Sequence, residues 1–208
     1  MLRSRAVVVD DHPLVRLAVK VLLEENNYDV IAESSDGIDA QKIVEHHHPD
    51  ILIIDADIPA KDGIEVIGTL RRKEFEGIII MISGKNAEYY SPLAAQAGAN
   101  GFVSKQKSLT EIVSAIRAGE NGYSYFPAIK RVKKSDECLE QQKKIDALSP
   151  QEFRVFQLII EGLKNNHIAD KMHISNKTVS TYKTRVMEKL QCESVKELYD
   201  FAKKHNLD

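Results

Sequence analysis

The chain has 208 residues, 29 Lys and Arg against 31 Asp and Glu, and 43% hydrophobic residues, a balance that excludes a mainly disordered chain and a collagen-like or coiled-coil fibre. Two cysteines, Cys138 and Cys192, exclude a disulfide framework and a four-thiolate zinc site, and no run approaches the roughly 18 apolar residues of a membrane span, so a cytoplasmic protein without a signal peptide, anchor or membrane partner is expected. Residues 1–126 hold 13 basic and 19 acidic side chains, whereas residues 148–208 hold 10 and 8, which predicts an acidic front module and a mildly basic back module.

Short apolar runs alternate with helical patterns through residue 119. The runs are residues 6–9, 29–32, 51–54, 78–82 and 101–103. Most are β-branched and lack polar alternation, as in parallel strands covered on both faces. Between them, residues 13–25, 38–47, 64–72, 87–97 and 108–118 read as helices. In the first of these, Leu14, Leu17, Ala18, Val21 and Leu22 share one stripe. Gly98 and Gly119 stand where helices stop, and His46-His47-His48 closes a helix before Pro49. Five β-α units in this length predict a doubly wound α/β sheet.

In such sheets the ligand site lies beyond the carboxyl ends of the strands. There the sequence places Asp10 and Asp11 after the first strand, Asp55 at the end of the third, Ser83 at the end of the fourth, and Ser104 and Lys105 after the fifth. One aspartate at a strand end is often only a helix cap. Three carboxylates on one rim need a compensating cation, and an oxygen-only set suits Mg²⁺ beside a phosphate. Lys105 supplies a second positive charge and Ser83 a hydrogen bond to a phosphoryl oxygen.

Asp10-Asp11, the segment from Asp55 through Pro59 to Gly63, Ser83 and Lys105 together resemble the receiver domain of two-component response regulators over residues 5–120. The resemblance implies a flavodoxin-like sheet in the order 2-1-3-4-5 and a phosphoryl group accepted on Asp55 from a sensor histidine kinase. It implies Mg²⁺ held by Asp11, Asp55 and the backbone carbonyl of Asp57, with Asp10 acting through water. Ser83 and Phe102 match the switch hydroxyl and switch aromatic, and Lys105 matches the catalytic lysine. Gly84 and Gln106 depart from the small residue and the proline common at those places.

Residues 126–147 are polar and read as a linker between a receiver at 1–125 and a second domain at 148–208, with helical turns around residues 136–144 and a basic run at 130–134. Ser149, Pro150 and Glu152 then form a helix start with a capping box. Phe153, Val155, Phe156, Ile159 and Ile160 give it an apolar face, and Gly162 stops it. A short helix over residues 166–172, a turn at His173-Ile174-Ser175, a third helix to Leu190 and a fourth over residues 194–205 complete an all-α four-helix module containing a helix-turn-helix. The third helix carries Lys177, Lys183, Arg185 and Lys189 against Glu188, with Ser180, Thr181, Lys183 and Thr184 on its exposed face, which suits a major groove.

The stretch from Glu161 to Leu190 is similar to the LuxR-type DNA-binding domain, and the whole chain resembles the NarL/FixJ class of response regulators. This implies double-stranded DNA as partner, with Ser180, Thr181 and Thr184 toward the bases, Lys177, Tyr182, Lys183 and Arg185 toward the backbone, and Thr178 as a further DNA-binding residue. It implies homodimers that contact through Val195, Leu198, Tyr199 and Ala202, and transcriptional activation with RNA polymerase as a further partner. The alternatives weighed are an aspartyl-phosphate phosphatase of the D-x-D type, using Asp55 and Asp57, and a regulator that works without phosphorylation.

Overall fold

A computed structural model describes residues 3–84, 87–106, 108–128, 143–145 and 147–204. The basic run 130–134, Cys138, His205 and most of the expected linker helix lie outside the described residues. The chain divides into two compact units, Met1–Ile129 and Lys130–Asp208.

The first unit is built on β1 (Arg5–Val9), β2 (Asp29–Ser34), β3 (Ile51–Asp55), β4 (Ile78–Ser83) and β5 (Gly101–Ser104), connected by α1 (Pro13–Glu25), α2 (Gly37–His47), α3 (Gly63–Arg72) and α4 (Ala87–Ala97) and followed by α5 (Glu111–Glu120). All adjacent strands pair in parallel in the order β2-β1-β3-β4-β5. Every residue of β3 is buried, as its unbroken apolar run predicts for a central strand. Ala6, Val8, Ile51, Ile53, Ile80, Ile82 and Val103 of the sheet meet Val19, Leu23, Ile112 and Ile116 of the helices in one core. Each fully buried Ile or Leu contributes roughly 1.5–3 kcal/mol relative to exposure.

Two details of the sequence reading are corrected. The stripe Leu14, Leu17, Val21 on α1 faces solvent, not the sheet; Val19 and Leu23 are the buried positions, with Val15 and Leu22 packed beside them. Helix α5 runs through Gly119 to Glu120, and the left-handed glycine is Gly122, at φ 76°. Gly119 lies instead where a Cβ would come within 2.9 Å of Ile78, so it lets the helix approach the sheet.

The second unit contains α6 (Pro150–Ile160), α7 (Asn165–Met172), α8 (Asn176–Leu190) and α9 (Val195–Lys204). The capping box is present: the Glu152 amide donates to Ser149 Oγ at 3.2 Å, and the Ser149 amide donates to Glu152 Oε2 at 2.7 Å. Lys189 of α8 donates to the same Oε2 at 2.6 Å and to the Ala147 carbonyl at 2.9 Å. Lys144 reaches Gln191 and Ile145 is buried, so the packing of this unit takes in residues assigned above to the linker. The turn before α8 places His173 in the left-handed region and Ser175 at the cap, where its Oγ accepts from the Thr178 amide. No helix among the described residues is long and apolar enough to cross a membrane.

Candidate functional site

The strand order reverses direction between β1 and β3, which opens a crevice above their carboxyl ends. Asp10 follows β1 and Asp55 ends β3, one on each side, at 0% and 2% exposure. Lys105, just after β5, bridges them: its Nζ lies 2.5 Å from Asp10 Oδ2 and 2.9 Å from Asp55 Oδ2. Ser83 at the end of β4 is buried, as is Phe102 on β5, which pairs with Met81 two residues before Ser83, while Asp57 is half-buried. The loops are laced together on this rim. The Lys105 amide donates to the Ser83 carbonyl at 2.7 Å, and the Gln106 side chain donates to the Gly84 carbonyl at 2.8 Å. Gln106 thus joins the two loops at which the chain departs from the family pattern. On the far side, a Cβ at Gly63 would come within 2.3 Å of the Asp55 carbonyl, so only glycine lets α3 start this close to Asp55.

The electrostatics follow from burial. Removal from water pushes Asp55 up to about 6; the Lys105 ammonium pulls it down, and Asp10 and Asp57 push it up again. Burial depresses the Lys105 ammonium, but Asp55 and Asp10 outweigh it and hold its pKa above the usual lysine value. Asp55 Oδ1 is buried with no hydrogen-bond partner among the described residues. An unpartnered buried carboxylate oxygen is costly, and a divalent cation is a group that would satisfy it. Asp10, Asp11, His12 and Asp55 each offer a ligand atom, all within 4.8 Å of one another. The three carboxylates of this set fit Mg²⁺. Asp11, expected as a ligand, is partly exposed and its Oδ1 lies 2.6 Å from His12 Nδ1.

Sequence reasoning missed three features here. His12 belongs to the acidic cluster but offers no pattern at one position. Arg16, one turn into α1, donates to the Asp10 carbonyl at 2.6 Å and fixes the strand end. Beside the rim, Leu14, Leu17, Ala18, Val21 and Leu22 line a groove with Ser108, Leu109 and Thr110; Leu14 is 81% exposed.

In the helical unit, Val179, Val186 and Leu190 of α8 are buried, and Lys177, Ser180, Thr181, Thr184 and Arg185 share the exposed face. Thr178, Tyr182 and Lys183 are half-buried on its flanks. The Thr178 hydroxyl is bonded to Ser175 Oγ at 2.8 Å, at the cap of the helix. Thr181 Oγ1 donates to the Lys177 carbonyl and Thr184 Oγ1 to the Ser180 carbonyl. Their hydroxyl protons are therefore used within the helix, and their methyl groups and lone pairs remain for a ligand. Asn165 Nδ2 donates to Ser180 Oγ at 3.4 Å and ties α7 to this face.

The expected dimer contact on α9 is corrected in part. Leu198 and Ala202 are 0% and 1% exposed and belong to the core of the unit, so they have no surface to offer a partner. Val195 is half-buried, and Tyr199 keeps exposed surface while its hydroxyl donates to the Ile159 carbonyl at 2.7 Å.

Residues 6–117 match the response regulator receiver domain, and residues 146–202 match the luxR family of bacterial regulatory proteins. The chain is 48% identical over 203 residues to the DNA-binding transcriptional activator EvgA of Escherichia coli strain K12, covering 97% of this chain and 98% of that one. It is 38% identical over 206 residues to BvgA, a virulence-factor transcription regulator of Bordetella pertussis, covering 98% and 99%. Among solved structures it is similar to RcsB of Salmonella enterica serovar Typhimurium bound to a promoter with the phosphomimetic BeF₃⁻, at a TM-score of 0.66 and 26% identity, covering 96% of this chain and 98% of that one.

Proposed function

This chain belongs to the response regulators that join a receiver domain to a LuxR-type DNA-binding domain, and we propose that Asp55 accepts a phosphoryl group from a sensor histidine kinase, which promotes dimerisation and sequence-specific DNA binding by α8 and so activates transcription. The observation that carries the reading is the state of Asp55: buried, with Oδ2 held by Lys105 and Oδ1 without a hydrogen-bond partner among the described residues. Asp11, Asp55 and the Asp57 carbonyl would hold Mg²⁺, with Asp10 acting through water. The ion neutralises charge where a phosphoryl group meets the carboxylates. Lys105 and Ser83 would then take the oxygens of the transferred group, and buried Phe102 on the adjoining strand would carry the change outward. EvgA and the solved RcsB complex, a transcriptional activator and a DNA complex respectively, favour a regulator over the D-x-D phosphatase. They also support double-stranded DNA as a partner; a second copy and RNA polymerase at the promoter are the further partners in this reading. The domain limits we assign are a receiver to residue 125 and a DNA-binding domain that begins by residue 143.

Incubation with Mg²⁺ and a small acyl phosphate should yield one hydroxylamine-labile phosphoryl adduct and tighten operator binding. An adduct that leaves DNA affinity unchanged would favour the regulator that works without phosphorylation.

Two further outcomes are expected. Cation and proton compete for Asp55, so the apparent Mg²⁺ affinity should be flat above about pH 7. It should then fall, by up to tenfold per unit, as pH drops through the value near 6. Calorimetric titrations at several pH values check this; constant affinity down to pH 5 would contradict Asp55 as a ligand. The groove on α1 adjoins the rim and fits a helix of the kinase that presents the phosphohistidine. Leu14→Asp, at a position 81% exposed, should slow transfer from the kinase by about tenfold and leave uptake from the small donor unchanged. A time course with each donor separates docking from chemistry.

A further inference from the structure

We propose that His12 supplies a nitrogen ligand to the cation site, so that a transition-metal dication such as Co²⁺ gains on Mg²⁺ there compared with an all-oxygen site. The proposal rests on the reading of this rim as a divalent-cation site and adds a residue outside the Asp11–Asp55 set.

His12 occupies the N-cap of α1, with extended backbone at φ −89° and ψ 111°, yet its side chain makes no capping hydrogen bond. Serine, threonine, asparagine or aspartate at that place would cap the helix with a side-chain oxygen and stabilise it. Pro13 at the first helical position starts α1 without that help. The imidazole points to the carboxylates instead. Nδ1 lies 2.6 Å from Asp11 Oδ1 and 3.3 Å from Asp10 Oδ1, and the His12 amide donates to the same Asp10 oxygen at 2.9 Å. Two ligands at right angles on one small dication stand about 3 Å apart. The spacing to Asp11, the carboxylate that would hold the ion directly, needs a few tenths of an ångström more. The ring is 67% exposed and free to turn by that amount. Asp55 belongs to the same cluster, and its buried Oδ1 has no hydrogen-bond partner among the described residues, a need that a cation there would meet. Carboxylate oxygens suit Mg²⁺, and imidazole nitrogen adds affinity for Co²⁺, Ni²⁺ or Zn²⁺.

The test uses the full chain with each metal alone. Calorimetry should show His12→Ala losing roughly tenfold or more in Co²⁺ affinity and less than about threefold in Mg²⁺ affinity. His12→Gln, which keeps a donor toward Asp11 but lacks an imidazole, should match His12→Ala. Spin-echo spectra of the Mn²⁺-loaded chain should show an imidazole-nitrogen coupling that both variants lose. Equal losses for the two metals, or no nitrogen coupling in the unmodified chain, would overturn the proposal and leave His12 orienting Asp11. Failure of the unmodified chain to bind any of these metals would remove the cation reading itself, a result distinct from variants that behave like the unmodified chain.

Discussion

Asp55→Asn is expected to abolish phosphoryl uptake from both kinase and small donor while making the metal-free chain more stable near neutral pH. The first effect follows from chemistry: an amide of the same shape cannot act as the nucleophile. The second follows from the site. Asp55 in the folded chain titrates near 6, above its ordinary 3.8, because burial disfavours the charge. A carboxylate whose folded pKa is raised favours folding at pH below the unfolded value, and that contribution is lost as pH rises through the folded one. Two units correspond to a cost on the order of 3 kcal/mol at neutral pH for keeping Asp55 ionised, of which the variant should recover some 1–3 kcal/mol. In the variant, Lys105 keeps its pair with Asp10 at 2.5 Å. Mg²⁺ should raise the Tm of the unmodified chain and raise that of the variant much less. Lys105→Ala should act in the opposite direction, since it leaves Asp10 and Asp55 facing each other without a cation. Thermal melts from pH 4 to 8, with and without Mg²⁺, measure all of this. Wild-type phosphorylation by Asp55→Asn would sink the acceptor assignment, and a variant less stable than its parent would show that the buried charge carries no cost.

The parts of this molecule that sequence alone made legible are those that repeat or sit at fixed offsets. Apolar runs without polar alternation marked β1, β3 and β4, and the residues just past those runs became the rim. The Ser149–Glu152 capping box is a three-residue relation and was readable for that reason. What stayed hidden depends on partners distant in sequence. Lys189 meets Glu152 across 37 residues, and nothing local to either announces it. Tyr125 pairs with Gly101 in a single parallel bridge, and its carbonyl accepts from the Phe102 amide at 2.8 Å, so the chain leaving the sheet is hydrogen-bonded to the residue expected as the switch aromatic. One bridge has no periodicity to detect. Helix α1 misled for a different reason. Both of its faces carry apolar residues, so a stripe alone could not say which one met the sheet. The dimer contact that the resemblance implies on α9 includes Leu198 and Ala202, which are core. Helical spacing identifies a face to be covered, and it does not distinguish cover by the same chain from cover by another.

On α8 the expected result is a separation of reading from holding: Thr181→Ala should cost on the order of 1–3 kcal/mol at the operator and leave binding to scrambled duplex nearly intact. Lys177→Ala should weaken both alike and lower the salt slope by about one ion. Lys177, Thr181 and Thr184 lie within one exposed stripe, so position on the helix does not by itself distinguish them. Chemistry does. Lys177 stands in the first turn, where an ammonium on a long stem reaches phosphates without regard to sequence. Thr181 is short, near the middle of the helix, and its hydroxyl proton is committed to the Lys177 carbonyl at 3.0 Å. It therefore meets a base edge with a methyl group and an acceptor lone pair, a combination suited to the thymine methyl or the cytosine amino group. Thr181→Ser keeps the hydroxyl and removes the methyl, so the two contributions can be told apart. A full loss in Thr181→Ser points to the thymine methyl, and retention of affinity points to the cytosine amino group. Titrations of labelled operator and scrambled duplex at several salt concentrations give the slopes and the ratios. If Lys177→Ala shifts sequence preference while Thr181→Ala leaves it unchanged, α8 enters the groove rotated from this placement, with its first turn toward the bases and Thr181 toward the backbone.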